Sequence, residues 1–345
     1  MIRAFGMSRF YLILLFLLSL ITEVESKNPA QRVEKERSQA RAVEVLRVRF
    51  GSGPDHIGVH TPDEANPEGP MSFALGWEGE IYILDQINSR IQVFKRGKKT
   101  ATIPIPAEEF TDFKDIELTP ENKIVLLGRT YVEGREKLVL YLLDLNGKVL
   151  NKIPLEDRRL IPDSGMVLGI HVVKEGRLSG IWVELADDHS ERSVRILSLD
   201  RKSIERISVP GKISFNGKRL LRAEKIGDTT VVLYRSEEYS LSKWEPERAV
   251  YFDRLVVHLL GLWDDQKERI FLGAVLEEGD KKKGEKLSNE FVVLSSDLKE
   301  KGRMKLVSQE TPHEIWRAIR VSPEGNIYQM VVDKHEVVVR KYSVE

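Results

Sequence analysis

The sequence contains no cysteine. Disulfides, thiolate metal ligands, a cysteine nucleophile and a lipid-modified N-terminal cysteine are therefore all excluded. It also lacks an excess of charge of either sign, because 54 Lys and Arg residues balance 54 Asp and Glu residues. A neutral chain has no overall field that would draw it onto nucleic acid, so we expect no nucleic-acid partner.

Several catalytic and metal-binding motifs are missing as well. The sequence has no G-x-S-x-G nucleophile motif, no glycine-rich phosphate loop and no H-E-x-x-H zinc motif. His56 and His60 have the four-residue spacing that suits zinc on a helix, but Pro54, Gly58 and Pro62 oppose a helix there. The sequence therefore predicts no metal site and no cofactor.

Beyond its first 26 residues the chain has no apolar run long enough to span a bilayer. The beginning of the chain is basic, continues with the apolar run Tyr11–Ile21 and then reaches the small residues Val24 and Ser26. This order is typical of a secretory signal cleaved after Ser26, with an uncleaved membrane anchor as the alternative. We expect a mature protein exported to the periplasm or the extracellular space, without a membrane span.

What the sequence does contain is a repeated pattern of short strands. The clearest copy is Gly69–Phe94, where apolar and polar residues alternate between tight turns such as the one at Gly79. Four short strands joined by tight turns within about 40 residues are typical of a propeller blade. Weaker copies follow to the C terminus and bring the number of blades to six. The last copy lacks an outer strand, which the alternating segment Val43–Phe50 can supply.

The predicted fold is therefore all-β. We expect a six-bladed β-propeller of four-stranded blades over residues 43–345, closed by an N-terminal strand that completes the last blade. It follows a signal peptide over residues 1–26 and a polar linker over residues 27–42. Closure of the ring removes the exposed edges that open sheets must protect. A seven-bladed ring is the alternative, but it needs about 40 residues more than the pattern provides.

The first blade resembles an NHL repeat, the motif of a family of β-propeller proteins. The motif residues are Gly69-Pro70, Glu78-Gly79, Ile81-Tyr82-Ile83, Asp85, Asn88, Arg90 and Ile91-Gln92-Val93-Phe94, with a partial copy at Arg320–Tyr328. The resemblance implies a bacterial exported propeller that presents loops and channel mouths to partners. It also implies that Asp85, Asn88 and Arg90 are scaffold residues, with the Asp and Arg paired across a bend.

The central channel of the predicted propeller is the place to look for function. Five polar residues interrupt otherwise apolar inner strands: Asp115, His171, Glu224, His258 and Arg317. The histidines and carboxylates could hold a metal or transfer protons, or they could be satisfied structural groups in a water-filled channel. Four tryptophans are interpreted as core or channel packing: Trp182, Trp244, Trp263 and Trp316.

Two functional classes remain open at this stage. The preferred hypothesis is a monomeric binding or interaction module of the cell envelope, which takes a protein or small-molecule ligand at a channel mouth. The alternative is a six-bladed propeller hydrolase or lyase with a metal in the channel. Convergence of Asp115, His171, Glu224 and His258 would favour the enzyme, because a metal ion needs several ligands at one point.

Overall fold

The computed structural model of the protein describes residues 42–343, apart from 106–111, 133, 134, 158, 163, 188, 189, 201, 238–243, 279–285 and 310. The predicted signal peptide and nearly all of the predicted linker lie outside the described residues. Within the described ranges, no helix is both long enough and apolar enough to cross a membrane.

Six antiparallel sheets of four strands each form a β-propeller. The first strand, β1 (Ala42–Arg49), belongs to the last blade. Blades 1–3 contain, from the channel outward, β2–β5 (Phe73–Leu75, Glu80–Asp85, Arg90–Lys95, Lys98–Pro104), β6–β9 (Asp112–Leu118, Ile124–Val132, Arg135–Leu143, Val149–Pro154) and β10–β13 (Val167–Val173, Gly180–Asp187, Ser190–Ser198, Ser203–Pro210). Blades 4–6 contain β14–β17 (Lys212–Ile213, Leu220–Lys225, Thr230–Ser236, Glu245–Tyr251), β18–β21 (Val256–Asp264, Ile270–Glu278, Lys286–Leu294, Glu300–Leu306), and β22–β24 (Ile319–Val321, Ile327–Val332, Glu336–Tyr342) followed by β1.

The blades pack on one another through apolar side chains. Every pair of neighbouring blades shares a buried apolar cluster, so six clusters close the ring. The cluster between blades 6 and 1 includes Leu46 and Val48 of β1, Phe73 of β2 and Val337 of β24. The predicted six-bladed, all-β architecture is confirmed.

The predicted N-terminal closure is confirmed too. Strand β1 pairs antiparallel with β24, from Ala42 opposite Tyr342 to Arg49 opposite Glu336. Its alternation places Leu46 and Val48 in the core and leaves intervening residues exposed. The two ends of the described chain are therefore joined in one sheet, and the ring is held shut by strand pairing.

The first blade also shows the predicted scaffold contacts. Asp85 is fully buried, and its Oδ2 accepts a hydrogen bond of 2.7 Å from Nε of Arg90. Nδ2 of Asn88 donates to both carboxylate oxygens at 3.2 and 3.1 Å, and the amide of Gly58 donates to Oδ1 at 2.7 Å. These three side chains thus tie the loop before blade 1 to the bend between β3 and β4.

Blade 4 differs from the prediction. The segment Leu220–Lys225, expected to be its inner strand, is its second strand, and the inner strand β14 has only two residues. Gly211, with φ +69°, precedes β14, and a turn at 214–217 ends it, so no alternating pattern marks this strand in the sequence. The inner strand of blade 6 is also shorter than expected, since β22 begins only at Ile319.

Candidate functional site

The channel of the propeller contains two cavities, of about 350 and 90 Å³. The larger one, called the wide cavity, lies where the inner strands begin and includes Leu168 and Ile315 in its walls. The smaller one, called the narrow cavity, lies where the inner strands end and includes Leu118 and Val321. Lys212, Trp263 and Arg317 line both cavities and therefore form the wall between them.

Asp115 is the central anion of this channel and is fully buried. Its Oδ1 accepts hydrogen bonds from Ser72 Oγ at 2.6 Å and from Arg320 Nη2 at 2.7 Å. Its Oδ2 accepts from the amide of Ile170 at 2.9 Å and from Arg317 Nη1 at 3.3 Å. These partners belong to blades 1, 3 and 6, so one carboxylate of blade 2 connects four of the six blades.

Close packing around Asp115 depends on a glycine. A Cβ at Gly169 would lie 2.6 Å from Arg317 Nη1 and 2.8 Å from Asp115 Oδ2, closer than a carbon atom can approach these groups. Glycine therefore lets the start of β10 pass beside the ion pair without displacing either side chain.

A bridge of three charged side chains crosses the wall between the cavities. Arg317 Nη2 donates to Glu184 Oε2 at 2.8 Å, and Lys212 Nζ lies 2.9 Å from Glu184 Oε1. Burial works against ionisation of Glu184, but Arg317 and Lys212 outweigh it and hold the pKa of this carboxyl well below its usual range. Glu184 is therefore the ionised centre of this bridge, with a cationic side chain on either side.

His171 in the narrow cavity is held neutral. Burial, helped by the nearby Lys212 ammonium, lowers the pKa of His171 to about 3. Its Nε2 atom is buried, and among the described residues it has no hydrogen-bond partner. His171 is thus an uncharged polar group on the wall of the narrow cavity at physiological pH.

Asp264 is the last residue of β18, and it also lines the narrow cavity. Its carboxylate accepts the amide proton of Phe215 at 2.8 and 3.0 Å. Burial raises the pKa of Asp264 to about 7, although the Phe215 amide and Lys212 both favour the charged form. The narrow cavity therefore contains one carboxyl group that changes charge near neutral pH.

Replacing Asp264 with asparagine should remove a pH dependence of stability. The pKa of this carboxyl rises from 3.8 to about 7 on folding, so the folded protein binds the proton more tightly. Wild-type stability should fall as the pH rises from 4 to 7, by up to roughly 4 kcal/mol at about 1.4 kcal/mol per pKa unit. Asp264→Asn should match wild type at pH 4 and exceed it at pH 8 in urea unfolding. Asp200→Asn, at an exposed turn, is the control, and parallel curves for wild type and Asp264→Asn would contradict the prediction.

The structure brings three of the five predicted site residues to the channel. Asp115 and Arg317 are in direct contact, and His171 lines the narrow cavity beside Arg317. Glu224 lies on the second strand of blade 4, where its half-exposed carboxylate pairs with Arg222 at 3.3 Å. His258 is exposed on β18 and lines neither cavity. No three His, Asp or Glu side chains among the described residues form a group that could hold a metal ion.

Several channel residues were not predicted from the sequence; Glu117 and Arg320 lie on predicted inner strands, and the others lie outside them. The missed groups are Glu117, Glu184, Glu191, Lys212, Asp264 and Arg320. Glu184 reaches the channel from the second strand of blade 3, where its position in the apolar run GIWVELAD was a usable signal. Lys212 had no such signal, since its strand has two residues.

Comparisons with known proteins were made with the sequence and with the fold. No protein-family model matches the chain, and no curated protein matches its sequence, so the resemblance to NHL repeats is not confirmed. Among solved structures, the apo form of soluble aldose sugar dehydrogenase from Escherichia coli is 12% identical with a TM-score of 0.49, covering 89% of this chain and 100% of that one. A gluconolactonase from Xanthomonas campestris is 12% identical with a TM-score of 0.45, covering 91% and 93%. Virginiamycin B lyase from Staphylococcus aureus is 10% identical with a TM-score of 0.40, covering 88% and 99%. Such low identities are no guide to the ligand or reaction of this chain.

Proposed function

We propose that this protein is an exported binding protein that takes a small amine-bearing ligand in the wide cavity. The observation that carries the proposal is Glu191, a carboxylate on the cavity wall with no hydrogen bond or ion pair among the described residues. A carboxylate on a cavity wall can form a charge-assisted hydrogen bond with a cation that enters the cavity, and this bond contributes to the binding free energy.

The wide cavity lies beside the short inner strand of blade 4. Strand β14 has two residues, whereas β10 and β18 on either side have seven and nine. The missing length exposes side chains of blade 3 that a full inner strand would cover, among them Glu184 and Glu191. At about 350 Å³ the cavity falls in the size range of small-molecule sites.

The other charges of the wide cavity are already engaged. Glu184, Lys212 and Arg317 form the bridge in the wall, and Arg192 donates to the carbonyl of Leu160 at 2.6 Å. Burial and the neighbouring Glu184 raise the pKa of Glu191 above its usual value. A ligand ammonium beside Glu191 would favour the charged carboxylate and so act against the effect of burial.

The rest of the wide cavity suits an apolar ligand body. Its wall includes the consecutive residues 259–263 of β18, with Trp263 among them, and Ile315 and Trp316 from the segment before β22. Trp316 is 37% exposed, which is unusual for so large an apolar side chain. An aromatic or aliphatic ligand could bury its surface here while its amine reaches Glu191.

Three compounds with nearly the same body and different polar ends test this proposal. Calorimetric titration should show tyramine, with an ammonium, binding more tightly than tyrosol, with a hydroxyl, and both more tightly than 4-hydroxyphenylacetate. Glu191→Gln should weaken tyramine binding by roughly 10- to 100-fold and remove its advantage over tyrosol, since a hydrogen bond to a charged group contributes about 1.5–3 kcal/mol.

The matched control is Glu224→Gln, which removes a carboxylate outside the channel. It should leave the three affinities unchanged. Equal affinities for tyramine and 4-hydroxyphenylacetate, or equal effects of the two substitutions, would show that Glu191 does not recognise the ligand.

Export and a monomeric state belong to the same proposal. The basic and apolar order of residues 1–26 supports cleavage of a signal peptide, and the closed ring supports a monomer because it leaves the six blades satisfied by one another. Mass spectrometry of the mature N terminus after export and light scattering of the purified protein test these two statements.

One observation favours an enzymatic alternative. Asp264, with a pKa of about 7, lines the narrow cavity together with His171 and Lys212. A carboxyl group that titrates near neutral pH can both donate and accept a proton, as general acid–base catalysis requires. The metal-dependent version predicted from the sequence has no support from the described residues, because its four candidate ligands do not converge.

A further inference from the structure

The side chain of Lys174 crosses the end of the channel at which the narrow cavity lies. Lys174 directly follows β10 in blade 3, and its Nζ lies 3.0 Å from the ring centroid of Trp77 and 5.6 Å from that of Phe215. Trp77 follows β2 in blade 1, and Phe215 follows β14 in blade 4. Because blades 1 and 4 stand opposite each other in a ring of six, Lys174 lies across the channel axis.

The two rings are the principal partners of this ammonium. Among the described residues, Lys174 Nζ has no hydrogen bond and no ion pair, and Glu175 and Glu324 act on it only at longer range. Burial lowers the pKa of Lys174, which is the cost of removing a charge from water without a carboxylate partner. The faces of aromatic rings attract cations, most strongly where water is excluded.

Both rings are held in place before any ligand arrives. Trp77 Nε1 donates a hydrogen bond of 2.9 Å to the carbonyl of Thr119 in blade 2. The backbone amide of Phe215 donates a hydrogen bond to the carboxylate of Asp264 in blade 5, which fixes the position of this residue. Rigid aromatic walls need little reorganisation on binding, so they favour affinity for a cation of the right size.

We propose that Trp77 and Phe215 form a second binding site, specific for the ammonium group of a small ligand, and that Lys174 occupies this site in the absence of ligand. The narrow cavity of about 90 Å³ lies against the same two rings and offers room for a short ligand body. Lys174 therefore acts as an internal competitor, which a ligand must displace from the rings. This site is separate from the wide cavity and does not use Glu191.

Choline and tetramethylammonium are the probes, because both present a compact cation that aromatic rings bind. All titrations use the Glu191→Gln background, so that neither probe can pair with the carboxylate of the wide cavity. Lys174→Ala should raise the affinity for choline by about tenfold or more, because the internal competitor is gone. Lys174→Arg, which keeps a cation over the rings, should restore the low affinity.

Two further variants complete the test. Adding Trp77→Leu to Lys174→Ala should abolish the gain, while Lys114→Ala should have no effect on choline binding. Lys114 is the matched control, because its ammonium lies 5.5 Å from the ring of Trp316, which lines the wide cavity. Equal choline affinity with and without Lys174, in variants with unchanged circular dichroism, would overturn the proposal. So would a gain that survives Trp77→Leu. Neither result would bear on tyramine binding in the wide cavity, which depends on Glu191.

Discussion

Deletion of residues 43–50 should abolish cooperative unfolding and make the protein aggregate. These residues form nearly all of β1, the outer strand of blade 6, and they pair with β24 along its whole length. Their loss exposes the backbone edge of β24 and uncovers the apolar cluster that joins blades 6 and 1. Thermal unfolding followed by circular dichroism and light scattering measures both effects.

Two controls test whether these effects depend on β1 itself. A chain that begins at residue 42 keeps β1 and should unfold like the full chain. Within the strand, Leu46 is 2% exposed and Val43 is 48% exposed. Leu46→Ala should therefore cost about 2–5 kcal/mol of unfolding free energy, whereas Val43→Ala should change it by no more than about 0.5 kcal/mol. A deletion variant that melts as sharply as the full chain would show that the ring does not depend on this strand.

Replacing Asp115 with asparagine should give the second largest loss of stability. The substitution keeps the size of the side chain but removes the charge that faces Arg317 and Arg320, both largely buried. Removing one partner of a buried ion pair leaves an uncompensated charge and costs about 3–5 kcal/mol. Because overall stability is commonly 5–15 kcal/mol, urea unfolding should shift to a much lower midpoint.

A surface carboxylate provides the comparison for Asp115. Asp297 pairs with Lys299 at 2.7 Å, but both side chains are more than half exposed. Solvent weakens such a pair, so Asp297→Asn should shift the urea midpoint far less than Asp115→Asn does. Similar losses for the two substitutions would mean that Asp115 does not act as the hub that joins four blades.

Features of this protein that depend on neighbouring residues in the chain could be predicted from the sequence. The strands of blade 1 follow from alternation and tight turns between Gly69 and Phe94, and the pairing of Asp85 with Arg90 spans only five residues. The closing strand was also predictable, because a sixth blade with three strands needs a fourth. The inner strand of blade 4 was not predicted, because β14 is too short to show any alternation.

Channel residues were harder to predict than strands. Asp115 and Arg317 stand out as polar residues within apolar segments, and they do meet, although 202 positions separate them. Glu224 has the same local signature but lies one strand too far out, so it never reaches the channel. A shift by one residue reverses the direction of a side chain, and a shift by one strand moves it away from the channel. Local pattern carries no information about either shift.

The sequence by itself determined the all-β fold, the six blades and the closure by an N-terminal strand, because these depend on periodicity and on the need to satisfy sheet edges. Only the tertiary structure decided what fills the channel. The bridge from Arg317 through Glu184 to Lys212 joins blades 6, 3 and 4, and Glu191, which has no ion pair among the described residues, lines the wide cavity beside the two-residue strand β14. Such sites form where separate blades lie close together. The distance between blades is set by packing over the whole ring.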